Sequence, residues 1–519
     1  MDNKESGRSW FLLTLFLSAL LLVPTLWFGF GADQGLHSYG AWVWRKFALA
    51  PYAGTFDHNF PGIFLICYLI QAVLGESVTA FRIFDLLWQV LTALMIYLVS
   101  CHAFQNRLSG FFSAIFYSIY YLGLGPWDTG HPDTFLLGFY LVSFWFLLKS
   151  DNRPARIAFG LAGWFLGTAL VVKPIAIIPG LIFLLFPASS KIKSRFPDIL
   201  CFSGSFIIPL LLFLIYYWRI GHLRELFQAL FSFNYRVYSG ALVIDTPAML
   251  KGIFLLKSLA SSPAIILGGF LYFIFKPGDN QPTRINPVWL WRLLSGIYLG
   301  YLMQGKFYPY QQAPVLGFLC LFAGAGWARV TEKIEIKVRT GIIHFAFALI
   351  LILLSLFSLR AEYLTMLAHS LRHSPGQSRE LYPFFKVCAQ SAEYLKAHTG
   401  PEDKIQVWGG EALINYLAQR RAPSRFPSTL SLIFRPGPDL RSPLQKEFAR
   451  ELLNSLQADP PEYFLAEIMS HPGYGIPSDK QILIEDYPEL WRFISRNYFL
   501  EHRIGFVECW RIKVRGKAL

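Results

Sequence analysis

Long apolar runs separated by short polar stretches dominate the chain up to about residue 360. A run of about 20 apolar residues is long enough to cross the roughly 30 Å hydrocarbon core of a bilayer as an α-helix. Eleven such spans are predicted at 10–30, 79–103, 109–124, 133–148, 157–173, 174–187, 199–218, 255–275, 288–303, 310–327 and 341–359. The pattern therefore predicts a polytopic α-helical membrane protein.

The apolar run at 61–75 is shorter and begins with Pro61-Gly62. A run of this length either crosses the bilayer or lies at its surface as an interfacial or re-entrant helix. Counting such short segments as crossings would raise the total to as many as thirteen spans.

From about residue 376 the apolar runs give way to the patterning of a globular domain. Helical periodicity at 381–398, 410–419, 442–456 and 487–497 alternates with strand-like runs at 404–409, 462–467 and 498–514. This alternation predicts a small α/β domain. The predicted organisation is thus a membrane domain at 1–361, with a large first outer loop at 31–78, and an α/β domain at 376–519.

Composition supports membrane insertion, because 54% of residues are hydrophobic, 17% are aromatic and only 15% are charged. The net charge of +14 arises largely from basic residues in short loops between apolar runs. Such loops stay in the cytoplasm by the positive-inside rule, so the charge does not indicate nucleic-acid binding. If the N-terminus is cytoplasmic and 61–75 does not cross, every compact basic loop is cytoplasmic and the C-terminal domain lies outside.

The cysteines show no metal-binding spacing. Four of the six lie in or beside apolar runs, and only Cys388 and Cys509 lie in the polar C-terminal part. In an extracytoplasmic domain these two could form a disulfide, and two buried free thiols are an equal alternative.

Ionisable and aromatic residues collect in the segments predicted to face outwards, at the mouths of helices. They are Asp33, Asp57, His58, Asp128, His131, Asp133, Lys173, Lys306, Tyr308 and Tyr310. Several have a structural alternative, whereas Asp33 directly follows the first span and has no obvious capping role. Asp57 and Asp128 could cap the helices that follow them, Asp133 could be a helix-start residue, Lys173 could extend to the surface, and the tyrosines could belong to an aromatic belt.

Together these residues suit group transfer from a lipid phosphate. A carboxylate removes the proton of an acceptor hydroxyl, while cations and hydroxyls hold the departing phosphate. The donor-phosphate candidates are Lys173, Lys306, Tyr308 and Tyr310. Asp57, His58, Asp128 and Asp133 are candidates for the acceptor cavity, and the carboxylates could also ligate Mg²⁺ or Mn²⁺. Asp33 could be a further oxygen ligand, but we expect no obligatory metal, because the two lysines already supply positive charge.

The order and content of four motifs resemble the GT-C-fold glycosyltransferases of the family 39 group. The motifs are "GADQGLHSYGAW", "FDHNFPG", "TALVVKP" and "GKFYPYQQAPVLGF". That group includes protein O-mannosyltransferases and bacterial lipid A aminoarabinose transferases, and the resemblance covers roughly residues 10–360. The segments "DKIQVWGG", "APSRFP" and "PPEYFL" are similar to the extracytoplasmic domains of bacterial members.

The resemblance implies an inverting transfer from a polyprenyl-phosphate sugar, with Asp33 as the catalytic base. Four departures weaken the match to the family's motifs. Gln34 stands where Glu is common, Asn59 stands where the family has Lys, and Lys306 stands where the family has Arg, with the family's following His also absent. The resemblance implies a bacterial inner-membrane location, with the active site and C-terminal domain outside the cytoplasm.

The implied partners are a polyprenyl-phosphate-linked sugar, the lipid bilayer and an acceptor glycan, lipid or protein. Two alternatives stay open at this point: a transporter or lipid translocase, and a non-catalytic lipid-phosphate-binding member of the same fold. Transporters place ionisable groups near the midplane of broken helices in repeated halves, whereas here these groups collect at one face and no convincing repeat is visible.

Overall fold

The computed structural model describes residues 2–149, 155–185, 196–240, 246–255, 262–275, 287–337, 382–433, 442–468 and 487–513, together with positions 368, 372, 374, 375, 379 and 484. The predicted span at 341–359 lies outside these residues.

The chain forms two compact units, each built from segments that are distant in sequence. The first unit comprises Met1–Phe28, Arg82–Phe213 and Ile244–Ser378. The second comprises Gly29–Phe81, Leu214–Val243 and Arg379–Leu519. Two earlier parts of the chain therefore join the C-terminal residues in one compact body, which hydropathy alone does not indicate. The predicted membrane and extracytoplasmic boundaries, 1–361 and 376–519, stay a prediction.

Helices make up most of the part of the chain before residue 338. They are α1 (Asp2–Leu22), α2 (Ala32–Phe47), α3 (Gly62–Leu74), α4 (Val78–Phe104), α5 (Arg107–Asp128), α6 (Pro132–Leu148), α7 (Ala155–Val172), α8 (Ile177–Leu185), α9 (Phe196–Arg219), α10 (Leu223–Phe227), α11 (Asn234–Arg236), α12 (Thr246–Ile253), α13 (Pro263–Ile274), α14 (Pro287–Gln304) and α15 (Ala313–Lys337). Four short 3₁₀ segments among the described residues, Val23–Trp27, Pro174–Ala176, Tyr238–Gly240 and Pro309–Gln312, introduce turns beside them. A π-helical segment, Gln228–Phe233, joins α10 to α11.

Six helices among the described residues are long and apolar enough to span a membrane. They are Gly7–Trp27, Val78–Phe104, Arg107–Asp128, Ala155–Val172, Phe196–Arg219 and Pro309–Lys333. Shorter apolar helices occur at Gly62–Leu74, Pro132–Leu148, Pro174–Phe183 and Pro263–Ile274. The protein is thus an integral membrane protein, while the predicted count of eleven spans stays a prediction.

Two glycines allow helices α7 and α9 of the first unit to pack backbone against backbone. A Cβ atom placed on Gly163 would lie 2.2 Å from the carbonyl oxygen of Phe202, and one on Gly167 would lie 2.2 Å from that of Phe206. Small residues four positions apart form one face of a helix and let a neighbouring membrane helix approach closely. The close approach therefore depends on glycine at both positions.

The predicted first outer loop at 31–78 contains two helices rather than irregular chain. Helix α2 begins directly after Gly31, whose backbone N–H donates to the side chain of Gln34 at 2.9 Å. Helix α3 confirms that 61–75 is helical, and Pro61 precedes its first residue. The expectation that this segment lies at the membrane surface stays a prediction.

The C-terminal part of the second unit contains a four-stranded mixed sheet. Its strands are β1 (Ile405–Trp408), β2 (Tyr463–Glu467), β3 (Tyr498–Ile504) and β4 (Val507–Ile512). The strand order is β1-β2-β4-β3, with β1 and β2 parallel and the other two pairs antiparallel. The associated helices are α16 (Pro383–His398), α17 (Ala412–Ala418), α18 (Leu430–Ile433), α19 (Pro443–Ala458) and α20 (Pro488–Asn497). The predicted strands and helices of this region are confirmed.

Cys388 and Cys509 are buried free thiols. Of the two alternatives drawn from the sequence, a disulfide or two buried free thiols, the structure has the free thiols.

Candidate functional site

In the first unit, two predicted site residues form an ion pair. Asp133 lies in the first turn of α6 and is fully buried. Lys173, which directly follows α7, donates from Nζ to Asp133 Oδ2, and Gln304 Nε2 donates to the other carboxylate oxygen at 3.2 Å. Asp133 therefore compensates much of the Lys173 charge, a pairing that the sequence did not indicate.

An aromatic stack lies beside this ion pair. The rings of His131 and Tyr310 are nearly parallel, with centroids 3.9 Å apart and an interplanar angle of 8°. His131 Nε2 lies 2.8 Å from the carbonyl oxygen of Trp127, so this nitrogen carries the proton and donates it. Lys173 Nζ lies 5.8 Å from the Tyr310 ring centroid, and the Tyr308 ring lies 5.4 Å from that of Tyr310. The structure thus brings His131, Asp133, Lys173, Tyr308 and Tyr310 together in one cluster.

Lys306 lies in the short turn between α14 and the 3₁₀ segment that contains Tyr310. Its neighbours Gly305 and Phe307 both have positive φ, 63° and 58°. A non-glycine residue in this region carries backbone strain, which persists only where surrounding structure holds it. Burial lowers the pKa of Lys306 from about 10.5 to about 8. The lysine therefore titrates close to physiological pH.

Asp128 is the last residue of α5, and a buried polar network holds the turn that follows it. Arg82 donates to the hydroxyl of Thr129 at 2.9 Å and to the carbonyl oxygen of Pro126 at 3.1 Å. Asp85 accepts from Arg82 at 3.4 Å and from Tyr121 at 2.7 Å. Arg82 and Asp85 are both fully buried within α4. This pair was not predicted, although two ionisable residues inside an apolar helix are a recognised signal of function.

In the second unit, Asp57 is buried between two histidines. Its carboxylate lies 3.1 Å from His37 Nε2 and 3.2 Å from His58 Nδ1. It also accepts from the backbone N–H groups of His58 and Asn59, at 2.6 and 3.2 Å. Burial alone would raise the pKa of Asp57, but the hydrogen bonds and charges of His37 and His58 outweigh it and hold the pKa well below its ordinary value. Asp57 is therefore an anion that orients two imidazoles.

His58 is the more exposed of these histidines. Its ring packs on Tyr238, with centroids 4.1 Å apart, and its carbonyl oxygen accepts from Asn234 at 3.1 Å. Asp57 and His58 were predicted from the sequence, but His37, which lies 20 positions before Asp57 in "GLHSYG", was not. A single histidine in a mixed helix gives no pattern that would have marked it.

The capping alternatives for the acidic residues are wrong. Helix α3 begins after Pro61 with no side-chain cap, so Asp57 does not cap it. Helix α6 begins after His131, also with no side-chain cap, so Asp128 does not cap it. The alternative for Asp133, a residue at the start of a helix, is correct, because Asp133 lies in the first turn of α6. It also pairs with Lys173.

Asp33 lies in the first turn of α2 and is partly exposed. The N-terminal turn of a helix stabilises a carboxylate through its free N–H groups. The helix itself is held against the C-terminal part of the second unit, because a Cβ on Gly35 would lie 2.6 Å from Leu413 Cβ. The expected proximity of Asp33 to the two lysines stays a prediction.

No group of three or more His, Cys, Asp or Glu side chains within the described residues is arranged to hold a metal ion. The Asp57 cluster contributes one carboxylate and two imidazoles that hydrogen-bond to it, rather than three groups that converge on one point. The expectation that activity requires no Mg²⁺ or Mn²⁺ stays a prediction.

Residues 57–220 match the family described as dolichyl-phosphate-mannose-protein mannosyltransferase. A crystal structure of ArnT from Cupriavidus metallidurans bound to undecaprenyl phosphate matches with a TM-score of 0.58 and 12% identity, over 98% of each chain. The archaeal oligosaccharyltransferase AglB from Archaeoglobus fulgidus, in complex with an inhibitory peptide and a dolichol-phosphate, matches with a TM-score of 0.51 and 12% identity, over 98% of this chain and 75% of that chain. No curated protein matches.

The fold is that of the GT-C membrane glycosyltransferases, which confirms the fold class predicted from the sequence. The match to the dolichyl-phosphate-mannose-protein mannosyltransferase family covers residues 57–220, which is less than half of the chain. The matched region contains Asp57, His58, Asp128, Asp133 and Lys173.

Proposed function

We propose that this protein is an inverting glycosyltransferase that moves a sugar from a polyprenyl-phosphate donor to an acceptor hydroxyl on the outer face of the membrane. The observation that carries the proposal is the cluster of Lys173, His131 and Tyr310 around buried Asp133, within a chain that has the GT-C fold over nearly its whole length. A crystal structure of ArnT that matches over 98% of each chain contains undecaprenyl phosphate, and this supports a polyprenyl-phosphate donor.

In the proposed reaction the acceptor oxygen attacks the anomeric carbon of the sugar as the bond from that carbon to the phosphate oxygen breaks. Asp33 takes the proton of the acceptor hydroxyl, and the polyprenyl phosphate leaves with the bonding electrons. Lys306 and Lys173 stabilise the negative charge that develops on the phosphate, and the hydroxyls of Tyr308 and Tyr310 donate to its oxygens. Each of these groups acts more strongly in the transition state than in the ground state.

Asp57 and His58 are proposed to bind the acceptor or the sugar rather than to perform the proton transfer. Asp57 fixes the ring of His58 through its Nδ1 atom, so the Nε2 side of that partly exposed ring is available to a hydroxyl group. Asp128 belongs to the same proposed acceptor group, and no obligatory divalent cation takes part.

The test is release of polyprenyl phosphate by the purified protein from a set of short-chain polyprenyl-phosphate hexoses and pentoses. Asp33→Asn keeps the shape of the side chain but removes its basicity, so turnover should fall by about 10² or more. The control is Asp403→Asn, because Asp403 is an exposed carboxylate whose contact is with the nearby Gly400.

Turnover close to that of the wild type in Asp33→Asn would contradict the assignment of the base. Movement of the lipid between leaflets with no release of phosphate would favour the translocase alternative. Binding of polyprenyl phosphate with no turnover on any donor would favour a non-catalytic member of the fold.

A further inference from the structure

Arg425 occupies an unusual position in the second unit. It belongs to the C-terminal segment "APSRFP" and is about 10% exposed, so its guanidinium is almost entirely enclosed by protein. Enclosing a permanent positive charge is costly unless good partners surround it. Its partners therefore indicate what the enclosed charge holds in place.

The guanidinium connects three separate parts of the chain. It forms a bidentate salt bridge with Glu451 of α19, in which Nε and Nη2 lie 2.7 and 2.8 Å from the two carboxylate oxygens. It donates to the carbonyl oxygen of Tyr52 at 3.1 Å and to the side chain of Gln228 at 3.1 Å. A flat fork with five N–H groups can make all these bonds at once, which a lysine cannot.

Three aromatic rings surround the same charge. The guanidinium carbon lies 5.4 Å from the ring centroid of Phe56, 5.1 Å from that of Phe426 and 5.2 Å from that of Phe448. The Phe56 and Phe448 rings also pack edge to face at 4.8 Å. Phe56, Phe426 and Phe448 are all buried. Cation–π attraction of this kind is stronger where water is excluded.

These contacts converge on the loop at 48–61, between α2 and α3, which contains Asp57. The side chain of Arg425 binds the loop at Tyr52, and its carbonyl oxygen accepts from the backbone N–H of Phe56 at 2.5 Å. Phe56 directly precedes Asp57. The backbone on the N-terminal side of Asp57 is therefore held by one residue through both its main chain and its side chain.

We propose that Arg425 is a positioning residue for Asp57 and His58, so that the C-terminal domain contributes to the active site by ordering this loop. The inference rests on the proposed function, because it takes Asp57 and His58 as parts of the acceptor site. Arg425 touches neither carboxylate nor imidazole of that pair in the contacts described above, so it acts through the loop.

The first experiment measures the order of the loop without any substrate. A spin label is attached to a cysteine introduced at Ala53, a partly exposed loop residue, in the full-length protein in detergent. Arg425→Gln should increase the mobile fraction of the label, and Glu451→Gln, which removes a partly exposed partner and carries less risk to folding, should produce a smaller increase.

The matched control is Arg511→Gln. Arg511 is likewise an arginine paired with carboxylates, those of Glu462 and Glu501, but it lies on the sheet and its described contacts do not reach the loop. An unchanged spectrum in both Arg425→Gln and Glu451→Gln would overturn the proposal. An equal change in Arg511→Gln would also overturn it, because general loosening of the domain would then explain the effect.

The second experiment separates positioning from stability by means of kinetics. With the donor that the release assay identifies, Arg425→Gln should lower kcat by about tenfold or more, because small displacements of reacting groups have effects of up to about 10². Arg425→Lys should not restore it. In the Asp57→Asn background, Arg425→Gln should add less than about a twofold loss, because both changes disable the same loop.

Full additivity of the two changes would overturn the inference while leaving the proposed function intact. Full activity of Asp57→Asn would instead remove Asp57 from the proposed active site, whatever the spin label shows. The label and the kinetics thus distinguish failure of the inference from failure of the proposed function.

Discussion

Lys173 and Lys306 are predicted for the same task, yet their surroundings differ. Lys173 is paired with buried Asp133 and lies near the ring of Tyr310. The surroundings of Lys306 instead lower its pKa to about 8, through burial. Donor binding should therefore depend on pH through Lys306.

We predict that undecaprenyl phosphate binds more weakly as pH rises through about 8. A lysine with a lowered pKa loses its proton over this range, whereas the phosphate monoester, with a second pKa near 6, keeps a constant charge. If the lipid phosphate binds only the protonated lysine, the Kd should rise about tenfold between pH 7 and pH 9. Lys306→Arg should bind equally well at both values, because arginine stays charged.

The measurement is a titration of the purified protein with undecaprenyl phosphate at several pH values. Lys404→Arg is the control, because Lys404 pairs with Asp459 in the C-terminal domain and should leave the wild-type profile unchanged. A Kd that is independent of pH in the wild type, or a dependence that persists in Lys306→Arg, would remove Lys306 from the donor site.

At the scale of single residues, the sequence indicated several candidate site residues but not the residues that they contact. Asp57 and His58 were found because they interrupt an apolar stretch, and Lys306 because it lies in a recognisable motif. His37 and Arg425 lie in the segments "GADQGLHSYGAW" and "APSRFP", but nothing in these segments marks them as site residues. Their importance comes from contacts with residues 20 and 373 positions away, which no period or motif encodes.

Among the elements, helices α7 and α9 give a direct test of membrane packing. Alanine at Gly163 or Gly167 would place a Cβ about 2.2 Å from a carbonyl oxygen of α9, so the helices would have to separate. We expect each change to lower the free energy of unfolding by about 1–3 kcal/mol, the usual cost of overpacking. Thermal unfolding in detergent measures the effect.

Gly204 on α9 is the matched control, because a Cβ placed there meets nothing within 4 Å. Gly204→Ala should be neutral or slightly stabilising, since alanine favours a helix over glycine by up to about 1 kcal/mol. Equal melting temperatures for Gly167→Ala and Gly204→Ala would mean that the two helices do not pack as described.

The elements of the C-terminal domain were predictable because their patterns are local. Strands β1 and β2 read as short apolar runs, and α16 and α19 show clear helical periodicity. Helix α2 was not predicted, because "ADQGLHSYGAWVWRKF" mixes aromatic, small and charged residues and follows a membrane span. Its buried face is determined by packing against α17, which the local sequence does not show.

For the whole molecule, the orientation in the membrane is the main prediction that charge supports. Cysteines introduced at Gln105 and Glu402 test it, because both positions are exposed. We expect an impermeant thiol reagent added outside cells to label position 402 at once, and position 105 only after the membrane is opened. Positive charge retained in the cytoplasmic loops is the physical reason.

Labelling is compared with that of the parent protein, whose own cysteines set the background. Labelling of position 105 from outside would refute the topology in which 61–75 does not cross. Protection of position 402 would place the C-terminal domain in the cytoplasm and contradict an outer active site.

The pairing of Tyr52 with Arg425 in the second unit also has a consequence for synthesis of the protein on the ribosome. The loop at Tyr52 leaves the ribosome 373 positions before Arg425, which is about 20–75 s earlier at elongation rates of about 5–20 residues per second. During that interval the nascent chain contains α1 and the loop with Tyr52 and Asp57, but not Arg425, which we propose orders this loop. Under the proposed function, the protein would therefore transfer sugar only after synthesis has passed Arg425 and the residues that bind it, and shorter nascent chains would be inactive.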